Sequence, residues 1–204
     1  PNPNAPTACY ESLETVEEIL KHNRDVVVIV DEAYIDFAGD GKSALKLLDK
    51  YDNLLVVQTF SKSRSMAGLR IGYAMGCPEL IRAMNDVKYS INSYTMNLPS
   101  LLMGAEAVKD KAYFETCVAK IKATREKTKE RLAALGFEFP DSQANFIFAK
   151  HPDYEGKELF EALRRQSIFV RYFDKPRIDQ YLRITVGTDE QMDVLMKFFE
   201  EYMA

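Results

Sequence analysis

The stretch Leu54-Leu55-Val56-Val57-Gln58-Thr59-Phe60-Ser61-Lys62-Ser63 decides how the chain is read. Leu54 to Val57 is a short apolar run of the length and composition of a buried strand. A polar turn follows, and it carries one lysine. A lysine just beyond a strand is ordinarily a solvated surface charge. Burial would instead disfavour the ammonium form and leave a free amine able to attack a carbonyl. The flanking segments favour the chemical reading. Upstream, Val26 to Val30 runs into Asp31-Glu32-Ala33-Tyr34, and downstream Gly68-Leu69-Arg70-Ile71-Gly72 sets an arginine between glycines. An amine, a carboxylate, a phenol and a guanidinium thus lie each beside a strand.

Those four groups match what an aldehyde cofactor bearing a phosphate requires. With pyridoxal phosphate as ligand, Lys62 is the amine that condenses with the aldehyde. Asp31 is the expected buried carboxylate that keeps the ring nitrogen protonated, and Tyr34 a donor to the phenolic oxygen. Ser61, Thr59 and the planar fork of Arg70 suit the phosphate. The bland alternatives are an Asp that only caps a turn and an arginine that is structural.

Outward from this centre the first half alternates strand and helix signals. Leu13, Val16, Ile19 and Leu20 recur at helical spacing, Val26 to Val30 reads as a strand buried on both faces, and Ala44 to Leu48 suggests a short helix. Strands are expected over Leu54 to Val57 and Arg70 to Met75, then a helix opened by Pro78. Such alternation predicts a mainly parallel sheet flanked by helices, with ligands at the carboxyl ends of strands, where Asp31 and Lys62 fall. A long helix is expected from about Asp110 to Leu135, stopped by Gly136. Strands near 145–149, 168–171 and 181–186 and helices near 155–165 and 188–202 follow. The expected fold class is therefore α/β over residues 1–108, with a small α+β domain over 109–204 that includes the long linking helix.

Arg183 lies inside an otherwise apolar strand, where a guanidinium is costly unless it meets an anion. An internal salt bridge and a substrate anion both answer that cost. Arg171 is a second anion candidate, and Asn145 a polar neighbour that equally suits a turn.

Composition excludes several classes. The 204 residues carry a formal charge of −4 and 47% apolar residues, enough for a globular core and without a basic face for nucleic acid. No apolar run is long enough to cross a bilayer. Cys9, Cys77 and Cys117 are widely spaced, and His22 and His151 stand apart from acid or cysteine clusters, so neither a metal site nor a histidine triad is expected. Reduced thiols fit a cytoplasmic protein.

Asp31-Glu32-Ala33-Tyr34, Ser61-Lys62 and Gly68-Leu69-Arg70-Ile71-Gly72 resemble the signature of the fold-type I pyridoxal-phosphate aminotransferases of classes I and II. Gln143-Ala144-Asn145-Phe146, Phe169-Val170-Arg171 and Tyr181-Leu182-Arg183-Ile184-Thr185-Val186-Gly187-Thr188 resemble the histidinol-phosphate aminotransferase subgroup, which also holds related aminotransferases and an amino-acid-phosphate decarboxylase. The resemblance implies a PLP-dependent transferase fold and ping-pong transamination between a small amino donor and a 2-oxo acid. The expected donor is histidinol phosphate and the expected acceptor 2-oxoglutarate. It implies a homodimer, Arg183 and Arg171 on substrate anions with Asn145 near the carboxylate, and no nucleic-acid or membrane partner. Family members carry an Asn-Pro-Asn-Asn-Pro-Thr-Gly loop in mid-chain. Here Pro1-Asn2-Pro3-Asn4-Ala5-Pro6-Thr7-Ala8 has Ala5 in place of the cofactor-binding asparagine, and Ala8 in place of the glycine. Asn4 is the remaining candidate. The resemblance also implies a preceding segment absent from this sequence. By itself the chain is then expected to be weak or inactive, and a remnant that only folds or associates is the reading from another class.

Overall fold

The structure is a computed structural model and describes residues 1–204. The chain divides into two compact units, one comprising Pro1–Pro3 with Tyr10–Cys117 and the other Asn4–Cys9 with Val118–Ala204. Against the expected division at 108/109, the contacts thus part further along, inside the long helix, and the loop 4–9 groups with the second unit.

The first unit is built on a three-stranded sheet in the order β1-β2-β3, with β1 at Val28–Asp31, β2 at Leu54–Thr59 and β3 at Gly72–Gly76. Strands β1 and β2 are parallel, with Asp31 opposite Val57; β2 and β3 are antiparallel, with Thr59 opposite Gly72. Helix α1 (Leu13–His22) begins where the Ser12 side chain accepts from the Thr15 amide. Its Val16 and Leu20 join Val30, Ala44, Leu47, Leu54 and Val56 in one buried cluster. This cluster covers one face of the sheet. Alternation along β1 sends Ile29 and Asp31 to the other face, where Ile29 is 59% exposed and Asp31 is exposed too. The expectation of burial on both faces therefore fails: β1 is an edge strand covered on one side, and Val26 and Val27 lie exposed before it.

Helix α2 (Pro78–Ile91) follows β3, and α3 (Leu98–Lys109) is capped by Asn97. Periodicity did not announce α3, because its apolar residues face all sides. It approaches the lysine turn closely at Gly104, where a Cβ would stand 2.8 Å from Ile71 Cδ1. Helix α4 (Lys111–Ala134) stops as expected at Gly136, which has φ +85°, while the Phe137 amide donates to the Leu132 carbonyl.

The second unit is an α+β layer. Its sheet has the order β4-β6-β5, all antiparallel, with β4 at Phe146–Ala149, β5 at Arg171–Tyr172 and β6 at Leu182–Thr185. Helices α5 (Gly156–Arg165) and α6 (Asp189–Tyr202) and the end of α4 supply Leu132, Leu159, Leu163, Leu195, Met196 and Phe199 to a core shared with Ile147, Leu182 and Ile184. Thr188 caps α6 in a reciprocal box with Gln191. Period-2 alternation then places Phe146, Phe148 and Arg183 on the sheet face away from that core.

Candidate active site

The turn bearing Lys62 is held by its own backbone. Phe60 N–H donates to the Ile71 carbonyl at 3.1 Å, Met66 N–H to Phe60 at 3.0 Å and Ser65 N–H to Lys62 at 3.0 Å. Its polar side chains converge. The Thr59 hydroxyl accepts from Ser61 N–H at 3.1 Å and lies 3.0 Å from the Ser61 hydroxyl and 3.1 Å from the Ile71 carbonyl. Thr59 and Ser61 are thereby brought beside the segment that holds Arg70. That residue is not in β3 as expected. It caps the turn Ala67–Leu69 in the left-handed region at φ 56°, with its guanidinium exposed apart from a 3.0 Å bond to the Ala67 carbonyl.

Lys62 is half-buried, and its Nζ stands 5.3 Å from the centre of the Tyr34 ring. No ion pair holds Lys62, so its amine is not neutralised by an acid of the chain. Asp31 ends β1 opposite Val57, in the strand that leads into this turn, and its Oδ1 accepts the Ala33 amide at 3.0 Å. It is exposed, which departs from the buried carboxylate expected at this position.

The buried acid is its neighbour. Glu32 is 2% exposed and accepts from the Ser43 hydroxyl at 2.7 Å, the Ala44 amide at 2.6 Å and Gln58 Nε2 at 2.8 Å. Burial pushes its carboxyl above the ordinary value, against the opposing pull of those donors. Tyr73 extends the network by donating to Gln58 Oε1 at 2.7 Å. Pattern reading passed over Glu32 because every partner comes from a distant segment.

The remaining candidates lie in the second unit. Asn4 closes its own loop: its Oδ1 accepts from the Thr7 hydroxyl at 2.8 Å, and its backbone pairs with Ala8 and Cys9. Ala8 has φ 63°, the left-handed region that favours glycine, so the substituted alanine adopts a glycine-like backbone. Arg183 and Arg171 face each other across β5 and β6. The Arg183 guanidinium lies 5.1 Å from the Phe146 ring and 5.7 Å from Phe173, and the Arg171 guanidinium 5.4 Å from Phe173. Neither arginine has an acidic partner, and the buried Nε of Arg183 has no hydrogen-bond acceptor. The internal salt bridge weighed for Arg183 is therefore not formed. Asn145 lies at the start of β4, where its carbonyl accepts from Val186 N–H at 2.9 Å.

The family model for aminotransferase class I and II matches residues 1–199. The chain belongs to that family. It is 52% identical over 196 residues to a histidinol-phosphate aminotransferase of Brachyspira hyodysenteriae, covering 96% of the chain and 55% of the relative. It is 51% identical over 204 residues to one of Clostridium acetobutylicum, covering all of the chain and 57% of that relative. The chain thus spans about half the length of the curated relatives it matches. Among solved structures, a histidinol-phosphate aminotransferase from Clostridium acetobutylicum superposes with a TM-score of 0.90 at 24% identity, covering 99% of this chain and 62% of that one. One from Sinorhizobium meliloti, solved in complex with pyridoxal-5'-phosphate, gives 0.87 at 24% identity over 99% and 55%. These likenesses establish the PLP-dependent transferase fold, present here in part. The sheet of the first unit holds one parallel and one antiparallel pair rather than the mainly parallel arrangement expected. No helix is long and apolar enough to cross a membrane, and no cluster of His, Cys, Asp or Glu could hold a metal ion.

Proposed function

We propose that the protein containing this chain is a pyridoxal-phosphate-dependent aminotransferase that moves the amino group of histidinol phosphate to 2-oxoglutarate, in histidine biosynthesis. The single observation that carries the reading is the lysine without an acid partner, set against the Tyr34 ring. The donor set suits the cofactor: an unneutralised amine, a carboxylate at the neighbouring strand end, the paired hydroxyls of Thr59 and Ser61, and the exposed guanidinium of Arg70 on the adjoining segment. When bound, pyridoxal phosphate supplies an aldehyde that condenses with amines and a ring that withdraws electrons.

Lys62 is the amine that holds the cofactor in the resting enzyme. With the cofactor bound, the Lys62 amine would act as the single general base that removes the substrate's α-proton and returns it. Asp31 keeps a proton on the ring nitrogen, and Tyr34 orients the phenolic oxygen. Thr59, Ser61 and Arg70 would donate to the phosphate, and Asn4 would be a second donor to the phenolic oxygen through its amide nitrogen. Arg183 takes the oxo-acid carboxylate or the corresponding end of the donor. Arg171 takes a substrate phosphate or distal carboxylate, and Asn145 assists near the carboxylate. The unsatisfied Arg183 Nε supports this, because a buried donor without an acceptor is costly until an anion arrives.

We read the protein as a cytoplasmic homodimer; three free cysteines suit a reducing compartment. Glutamate formation from histidinol phosphate and 2-oxoglutarate tests the assignment in the intact enzyme, against a panel of other amino donors. Turnover of the panel without histidinol phosphate would overturn the substrate. The isolated 204-residue chain is expected to turn over weakly or not at all.

A further inference from the structure

Two consecutive residues of the lysine turn meet two residues of the Asp31–Phe37 segment. Lys62 faces the Tyr34 ring, and the Ser63 hydroxyl donates a short hydrogen bond to Asp36 Oδ2. The acid is held by a fixed platform. Asp36 is the middle residue of a helical turn, Ile35–Phe37, whose flanking side chains are buried. Ser63 is itself only 3% exposed. The turn is otherwise braced by its own backbone, and by Arg64, which donates to the Ala107 carbonyl at 2.6 Å and packs on Phe60 and Phe114. The Asp36–Ser63 bond ties this turn to the segment that bears Asp31 and Tyr34.

We infer that Asp36 and Ser63 form a clasp that positions the Lys62 amine over Tyr34. Both are positioning residues and act only through Lys62. The inference rests on the reading of Lys62 as the amine that takes the cofactor. An acceptor that is ionised makes such a bond stronger than a neutral one. Its loss is expected to free the turn, whose closing bonds run from Ser65 N–H to the Lys62 carbonyl and from Met66 N–H to the Phe60 carbonyl.

Hydrogen exchange at the Ser65 and Met66 amides, with peptide mapping of Lys62 after reduction of a pyridoxal-phosphate mixture by borohydride, tests the clasp on the 204-residue chain. Asp36→Ala and Ser63→Ala are each expected to speed exchange at those amides about tenfold. The double variant is expected to exchange no faster than either single one, because both remove the same bond. Asp36→Asn keeps an acceptor in place without the charge and is expected to fall between; it serves also if the alanine variants do not fold. Exchange at Ile184, in the other unit, stays unchanged. Labelling of Lys62 falls in the same order. Unchanged exchange in the single variants, or a double variant showing the product of the two effects, overturns the clasp. So does faster exchange with full labelling of Lys62. If exchange behaves as expected while the wild-type chain takes no label, the clasp stands as a turn brace and the cofactor reading falls.

Discussion

Replacing Arg183 by methionine should make the second unit more stable while removing its affinity for anions. The guanidinium is held on the coreless face of β6 by alternation, with its Nε buried and unsatisfied. An orphaned buried donor costs about 1–3 kcal/mol. The cation opposite it in the strand register, Arg171, adds about 0.2–1 kcal/mol of like-charge repulsion. Against this stand two ring contacts, each about 0.5–1 kcal/mol, part of which a methionine side chain retains by packing on the same rings. The balance is a gain of about 1 kcal/mol for Arg183→Met. Urea unfolding followed by circular dichroism measures it; the chain has no tryptophan to report by fluorescence. The same titration with 2-oxoglutarate in excess of its dissociation constant should stabilise the wild type, by about 2.7 kcal/mol at a hundredfold excess, and leave the variant unmoved. A variant less stable than wild type by 1 kcal/mol or more, with equal response to the oxo acid, would falsify the view that this arginine waits for an anion.

Three other outcomes follow from the geometry. Gly136→Ala should destabilise the second unit by about 1–2 kcal/mol, since φ +85° strains any L side chain and the new Cβ would lie 3.1 Å from His151 Nε2. His151→Ala should cost about 2–3 kcal/mol in urea unfolding, because the ring bridges the Leu135 carbonyl at 2.9 Å and the Asp153 amide at 3.1 Å. The two changes should combine non-additively. Glu32→Gln probes the buried acid by pH. A carboxyl raised by burial contributes stability that is full below its ordinary value near 4.5 and is lost as pH rises through its folded value. The stability of wild type relative to Glu32→Gln should therefore rise as pH falls from 7 toward 4.5 and level off below; a relative stability that falls over that range contradicts the burial argument.

Local signals were enough for some of this architecture. The apolar run before Lys62 and the Gly136 stop are each written within a few residues, and both lie where the pattern puts them. Other features depend on contacts between distant segments. Val26 to Val30 is continuously apolar, so nothing in it marks that only Val28 and Val30 pack inward while Ile29 faces out. The same blindness led to Asp31 being read as the buried acid: the acid that is buried, Glu32, is chosen by Ser43, Ala44 and Gln58, which a linear scan does not join to it. Arg183 was visible as a charge within an apolar strand, but its lack of an acid partner could be known only from the fold.

The measurement closest to the centre of the account is the site of pyridoxal-phosphate attachment. After mixing, borohydride reduction and digestion, the label should fall on the peptide bearing Lys62, and it should vanish in Lys62→Ala. A label spread over exposed lysines such as Lys109 and Lys111, or unchanged in Lys62→Ala, would contradict the assignment of this amine to the cofactor.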